Sequence, residues 1–193
     1  RIRDFLGSAG GRFYSLDAKS GCIHWYYEMS VGQRSAATVA NIGTAAAPRY
    51  VVFFGDMGGY VHAAEAATGK SLWRVKPDPF PAARVTGSPA FYNGRLYVPV
   101  ASGEEASAGA SAEYECCKFR GGLAVLDARD GKQIWRYYTV DEPKPTKKNA
   151  KGTQLYGPAG APVWSSPAID PKTNTVYITT GNNYSDPTSP LSD

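Results

Sequence analysis

Apolar residues along this chain come in short runs, most of them four or five residues long and closed by glycine, aspartate, asparagine or proline. Tyr50-Val51-Val52-Phe53-Phe54, Leu96-Tyr97-Val98-Pro99-Val100, Leu123-Ala124-Val125-Leu126 and Thr175-Val176-Tyr177-Ile178-Thr179 are examples. Runs of this length between turn formers predict β-strands.

The runs belong to a repeat. Gly11 to Trp25 reads GRFYSLDAKSGCIHW, Gly59 to Trp73 reads GYVHAAEAATGKSLW, and Gly121 to Trp135 reads GGLAVLDARDGKQIW. Each copy has an acidic residue six positions after its first Gly (Asp17, Glu65, Asp127), a second Gly after ten and a Trp after fourteen. The copies start 48 and then 62 residues apart. One copy predicts a strand, a hairpin turn and a second strand. The acid binds turn amides, the second Gly takes positive φ, and the Trp packs between units.

Ahead of the hairpins stand further strand pairs. Ser35 to Val39 precedes Tyr50 to Phe54, Ser88 to Phe91 precedes Leu96 to Val100, and Ser166 to Ile169 precedes Thr175 to Thr179. The unit is therefore four antiparallel strands, A to D, of the length of a propeller blade. The predicted fold is an all-β propeller over residues 1–193, with three four-stranded sheets and part of a fourth. Propellers close with about 4 to 8 blades, so the chain is expected to be a fragment of a longer one.

Composition agrees with this reading. Of 193 residues, 42% are hydrophobic and 20% charged, and 21 Gly, 14 Pro and 13 Tyr stand against 2 Met. The net charge is +4, yet the one cationic cluster, Lys144 to Lys151, lies in a Pro-rich stretch. It is expected to be a solvated loop and not a nucleic-acid patch. No window approaches the roughly 18 to 20 apolar residues of a membrane span. The opening Arg1-Ile2-Arg3-Asp4 is not a charged-then-apolar leader, which fits a mature or partial chain. Three Cys (Cys22, Cys116, Cys117) and 2 His lack metal-ligand spacing. Adjacent cysteines suit an oxidising compartment, where they can pair.

The copies Asp17-Ala18-Lys19-Ser20-Gly21 to Trp25 and Glu65-Ala66-Ala67-Thr68-Gly69 to Trp73 resemble the tryptophan-docking motif of quinoprotein dehydrogenases, which cofactor-free propellers also carry. Three stretches sharpen the likeness. Gly160-Ala161-Pro162-Val163-Trp164 running to Thr180-Gly181-Asn182 is similar to the family's tryptophan-to-TGN segment. Ser102-Gly103-Glu104-Glu105 resembles its calcium-carboxylate loop. Tyr114-Glu115-Cys116-Cys117-Lys118-Phe119-Arg120-Gly121 resembles the polyvinyl alcohol dehydrogenase branch in particular.

The resemblance implies a propeller of about eight blades that oxidises an alcohol, polyvinyl alcohol or another secondary alcohol. Hydride would pass to calcium-bound pyrroloquinoline quinone (PQQ), and electrons would leave singly to a cytochrome c. The protein would be periplasmic or secreted. Trp164 stands where the family lays a flat Trp under the quinone. Asn182 and Glu105 match the calcium ligands, with Glu104 and Asn183 as their rivals. Arg34, Thr86 and Ser102 match groups that bind the quinone's oxygens. Calcium takes hard oxygens, Arg pairs with planar anions by forked bonds, and a flat indole suits a flat tricycle.

Each of these residues also has an ordinary reading: blade packing for Trp164, turns or strand ends for Thr86, Ser102 and Asn182, and solvent exposure for Arg34 and Glu105. The geometry of a meander favours the first reading. Arg34, Thr86 and Trp164 fall at starts of A strands, and Ser102, Glu105 and Asn182 at ends of B strands, so all six share one face near the axis.

Cys116 and Cys117 depart from the better-known alcohol dehydrogenases, whose adjacent pair lies ahead of the Arg, where Met29-Ser30 stands here. Contact with the cofactor is still open to them. They are expected to bond to each other, because Cys22 lies in a turn on the opposite face. The family's catalytic base is an Asp beyond the TGN segment that neither Asp186 nor Asp193 matches. That base, the closing blades and any haem c motif are expected outside this chain, which alone is expected to be inactive. A cofactor-free assembly or binding scaffold is the alternative reading, and it has no need of Glu105, Trp164 and Asn182.

Overall fold

The computed structural model describes residues 2–184, so Asp186 and Asp193 lie outside the described residues. The first sheet holds β1 (Arg3–Gly7), β2 (Arg12–Asp17) and β3 (Ile23–Glu28), in that order. The second holds β4 (Thr38–Asn41), β5 (Tyr50–Gly55), β6 (Val61–Glu65) and β7 (Ser71–Val75). The third is built on β10 (Arg95–Ser102), which pairs with β8 (Ala83–Arg84), β9 (Ala90–Tyr92) and β11 (Gly122–Asp127); β12 (Gln133–Tyr138) pairs with β11. A short helix, α1 (Glu104–Ala110), interrupts the path from β10 to β11. Next comes a hairpin of β13 (Lys144–Lys148) and β14 (Gln154–Gly157), and β15 (Ala168–Asp170) with β16 (Thr175–Tyr177) begins the fourth sheet. All ladders between these strands are antiparallel. The sheets are those of a propeller, left unclosed.

The repeat holds the blades together. Trp25 Nε1 donates to Ala66 O, and Trp73 Nε1 to Ala128 O, both at 3.2 Å. The acceptor in each case is the residue after the acid of the next blade's hairpin. Gly69 and Gly131 have φ of +75° and +74°, and a Cβ there would stand 2.7 Å from the Trp25 ring and 2.9 Å from the Trp73 ring. Glycine therefore serves both the turn and the indole of the preceding blade. Trp135, the third equivalent, is 39% exposed.

Apolar faces pack sheet on sheet. Between the first and second sheets Phe13 stacks on Phe54 at 4.0 Å. Between the second and third lie Phe53, Val61, Val85, Leu96, Val98 and Phe119. Tyr97, Leu123 and Val125 meet Ile169, Val176 and Ile178 of the fourth. The A strands β4, β9 and β15 are neighbours, with β9 in the middle. Ala36 N donates to Ser88 Oγ at 2.9 Å, and Thr38 Oγ1 bonds Pro89 O.

The structure departs from the sequence reading in four places. Only the second sheet has the expected four strands: the first has three, because only β1 precedes its hairpin, and the third has five, because both β8 and β9 pair with β10. The A strands begin two or three residues late: Pro89 and Pro167 cannot donate to a ladder, and the Ser35 hydroxyl bonds Gly55 instead. The stretch after Ser102 is helical where a loop is expected. Lys144 to Lys151 is exposed as expected, but as a hairpin, since Asn149 Oδ1 accepts from Lys151 N and Thr153 N and forms its turn.

Candidate functional site

Strand β10 ends at Ser102, where the start of α1 sends two adjacent carboxylates in different directions. Ser102 Oγ accepts from the backbone N of Glu104, the first residue of the helix, at 3.1 Å. Glu104 is fully buried and turns inward: it accepts from the Lys118 and Phe119 amides at 2.8 Å each and from Tyr114 OH at 3.1 Å. Burial and the Glu104 charge push the Tyr114 phenol up to about 12. Glu105, one position on, faces outward, and its Oε1 accepts from Asn182 Nδ2 at 3.2 Å. Half a turn of that amide presents Oδ1 instead, so both groups can offer oxygen to a cation between them.

Asn182 is held from the backbone. Gly181 N donates to Pro162 O at 2.8 Å, and Ala161 N to Asn182 O at 3.0 Å. A Cβ at Gly181 would stand 2.7 Å from Trp164 Cδ1, so the indole lies against the residue beside Asn182. Trp164 is 43% exposed. Val163 N, just before it, bonds Val100 O near the end of β10. Gly87 is equally tight: a Cβ there would meet Trp164 O at 2.7 Å. Next to it, the buried Thr86 Oγ1 makes no hydrogen bond among the described residues.

Glu105 and Asn182 are thus bonded, Trp164 lies against Gly181 beside Asn182, and Thr86 and Ser102 adjoin this group through their chain neighbours Gly87 and Glu104. Arg34 is exposed, and no hydrogen bond or ion pair ties it to the others among the described residues. Its neighbour Ser35 bonds Gly55 at the end of β5, which sets it at the matching position one blade away. Cys116 and Cys117 are bonded to each other across a cis peptide, and Cys22 is exposed and unpaired. The pair lies in the segment between β10 and β11, with Cys116 Sγ 4.0 Å from Tyr184 O. Among the described residues no group of three or more His, Cys, Asp and Glu is placed to hold a metal ion.

Two neighbours are missing from the sequence reading. Arg84 lies in β8, and a Cβ at Gly103 would stand 2.7 Å from its Nε. Tyr184 sits amid the site's polar groups. Burial pushes its phenol up, with Glu105 and Glu104 adding to the rise and Ser102 and Arg84 opposing it. A two-residue strand carries no periodicity, but the pairing of β8 with the end of β10 places Arg84 there.

The family model described as outer membrane protein assembly factor BamB (PQQ_2) matches residues 3–185. A polyvinylalcohol dehydrogenase of Pseudomonas sp is 43% identical over 185 residues, covering 95% of this chain and 29% of that protein. The chain belongs to the PQQ-dependent alcohol dehydrogenase family. A second relative, the polyvinylalcohol dehydrogenase of Sphingopyxis sp. (strain 113P3), is 40% identical over 185 residues, or 95% of this chain and 28% of its own length. Among solved structures, the quinohemoprotein alcohol dehydrogenase ADHIIG of Pseudomonas putida superposes with a TM-score of 0.65 at 23% identity, over 95% of this chain and 28% of that one. A europium-containing methanol dehydrogenase does so with 0.65 at 19%, over 95% and 34%. These two likenesses establish the fold. The chain spans less than a third of the length of the two polyvinylalcohol dehydrogenases.

Proposed function

We propose that the whole protein is a PQQ- and calcium-dependent alcohol dehydrogenase acting on polyvinyl alcohol or another secondary alcohol, and that this chain supplies much of its cofactor site. The contact between Glu105 and Asn182 beside the exposed face of Trp164 carries the reading. The residues present fit the cofactors. A carboxylate and an amide are hard donors, and they leave calcium roughly four to six further positions, which suit the oxygens of a quinone. The buried Thr86 hydroxyl has no partner among the described residues, and a ligand oxygen would satisfy it.

When bound, PQQ supplies a two-electron acceptor and calcium the Lewis acid that polarises it. Glu105 and Asn182 hold the cation. Trp164 offers a flat apolar face, kept in place by Gly181 and by the Val163 to Val100 bond. Thr86 and Arg34 orient the cofactor's oxygens, and the Cys116–Cys117 pair stands at the site's edge. A disulfide there suits a periplasmic or secreted protein. The catalytic base and closing blades belong to the rest of the protein, within a propeller of about eight blades.

The scaffold reading draws on the BamB description of the matching family model. It explains the docking tryptophans but gives Glu105, Asn182 and Trp164 nothing to do. In the intact protein, Trp164→Ala is expected to weaken PQQ binding, and Asn182→Ala calcium binding, each by at least about tenfold, some 1.4 kcal/mol. Unchanged titrations of both variants would leave the scaffold reading standing.

A further inference from the structure

The connection from β12 to β15 contains a braced cationic element. Lys144, Lys147, Lys148 and Lys151 fall within eight residues, and no acid occurs from Pro143 to Ile169. Every residue of β13 is exposed, as is Lys151. Lys144, Lys148 and Lys151 take no part in the ion pairs among the described residues, whereas nearby Lys118 is paired with Glu115 at 2.7 Å. The hairpin is also fixed in place. Asn149 Nδ2 and Thr153 Oγ1 donate to Ala112 O at 2.7 and 2.9 Å. Tyr156 N donates to Cys116 O at 2.7 Å, and Cys117 N to Tyr156 O at 3.4 Å. Positive charge is therefore displayed on a rigid strand, one hydrogen bond from the cysteine pair that borders the candidate site.

We propose that the β13–β14 hairpin docks an acidic protein that takes the electrons. The inference rests on the dehydrogenase reading. Converting an alcohol to its carbonyl releases two electrons and two protons, so a protein that accepts one electron must dock twice per turnover while two protons pass to solvent. The ammonium groups of Lys144, Lys148 and Lys151, outside the ion pairs among the described residues, steer such a partner by long-range attraction, which salt screens. The exposed strand offers Lys, Pro and Thr and no aromatic ring on which a base could stack. That favours an acidic protein over a nucleic acid.

The test compares the intact protein with Lys144→Glu/Lys148→Glu/Lys151→Glu and with a control of equal charge change, Lys19→Glu/Lys70→Glu/Arg129→Glu, in the turns of the opposite face. The probe is an acidic c-type cytochrome, titrated calorimetrically at low salt. The hairpin variant is expected to lose at least about tenfold in affinity and most of its salt dependence. The control should stay within about twofold, and Lys→Gln at the same three hairpin positions should fall between. Equal losses in both variants, no loss, or tighter binding of duplex DNA or anionic vesicles than of the cytochrome would overturn the proposal. Alcohol oxidation with a small dye acceptor is read in parallel and should match wild type. Its absence even in wild type would fail the dehydrogenase reading, while the binding comparison would still decide the docking surface.

Discussion

Gly21, Gly69 and Gly131 share one backbone conformation, with φ between +72° and +75°, but not one neighbourhood. Gly69 and Gly131 each carry a tryptophan from the preceding blade, while a Cβ at Gly21 would meet nothing within 4 Å among the described residues. Alanine at Gly21 therefore costs only the left-handed backbone, roughly 1 kcal/mol. At Gly69 or Gly131 the indole must also move, which adds about 1 to 3 kcal/mol. Chemical denaturation of the three variants of the intact protein should show this ranking. Equal losses would mean that the tryptophans are not seated on those glycines. Glu104 and Glu105 make a second contrast at this scale: adjacent in sequence, one bonds three donors of its own chain and the other faces Asn182.

The segment from α1 to β11 is an element organised by one carboxylate. Glu104 bonds Tyr114 and the two amides just after the cysteine pair, so it closes the loop on itself. The Tyr114 phenol is raised to about 12 in the folded chain from a usual value near 10. A raised acid binds its proton more tightly when folded. Its contribution is whole below pH 10 and is lost as the pH climbs to about 12. The magnitude is on the order of 1 kcal/mol, since solvent screens a group this accessible. Hydrogen exchange of the Lys118 and Phe119 amides should quicken across that window beyond the ordinary base-catalysed rise. Tyr114→Phe should remove the excess, and an excess that persists in Tyr114→Phe would contradict the assignment.

The blades and their docking tryptophans were legible in the sequence because each rests on short-range spacing. Asp17, Gly21 and Trp25 lie within one hairpin, and so do their counterparts. The elements that were not legible depend on distant partners. Helix α1 forms where Glu104 reaches residues fourteen and fifteen positions away. Hairpin β13–β14 depends on Ala112 and Cys116, and Arg84 gains its place only through pairing across to β10. The same logic holds for the molecule as a whole. Its Trp135 is 39% exposed, whereas the equivalent Trp25 and Trp73 are seated on the next blade's hairpin turn. The most direct measurement is alcohol oxidation by the intact protein, stripped by chelation and then given PQQ and calcium separately and together. The account predicts dye reduction by a secondary alcohol only when both are present, reduced at least about a hundredfold, or 2.7 kcal/mol, in Glu105→Gln. Turnover that needs neither cofactor, or none when both are bound, would contradict it.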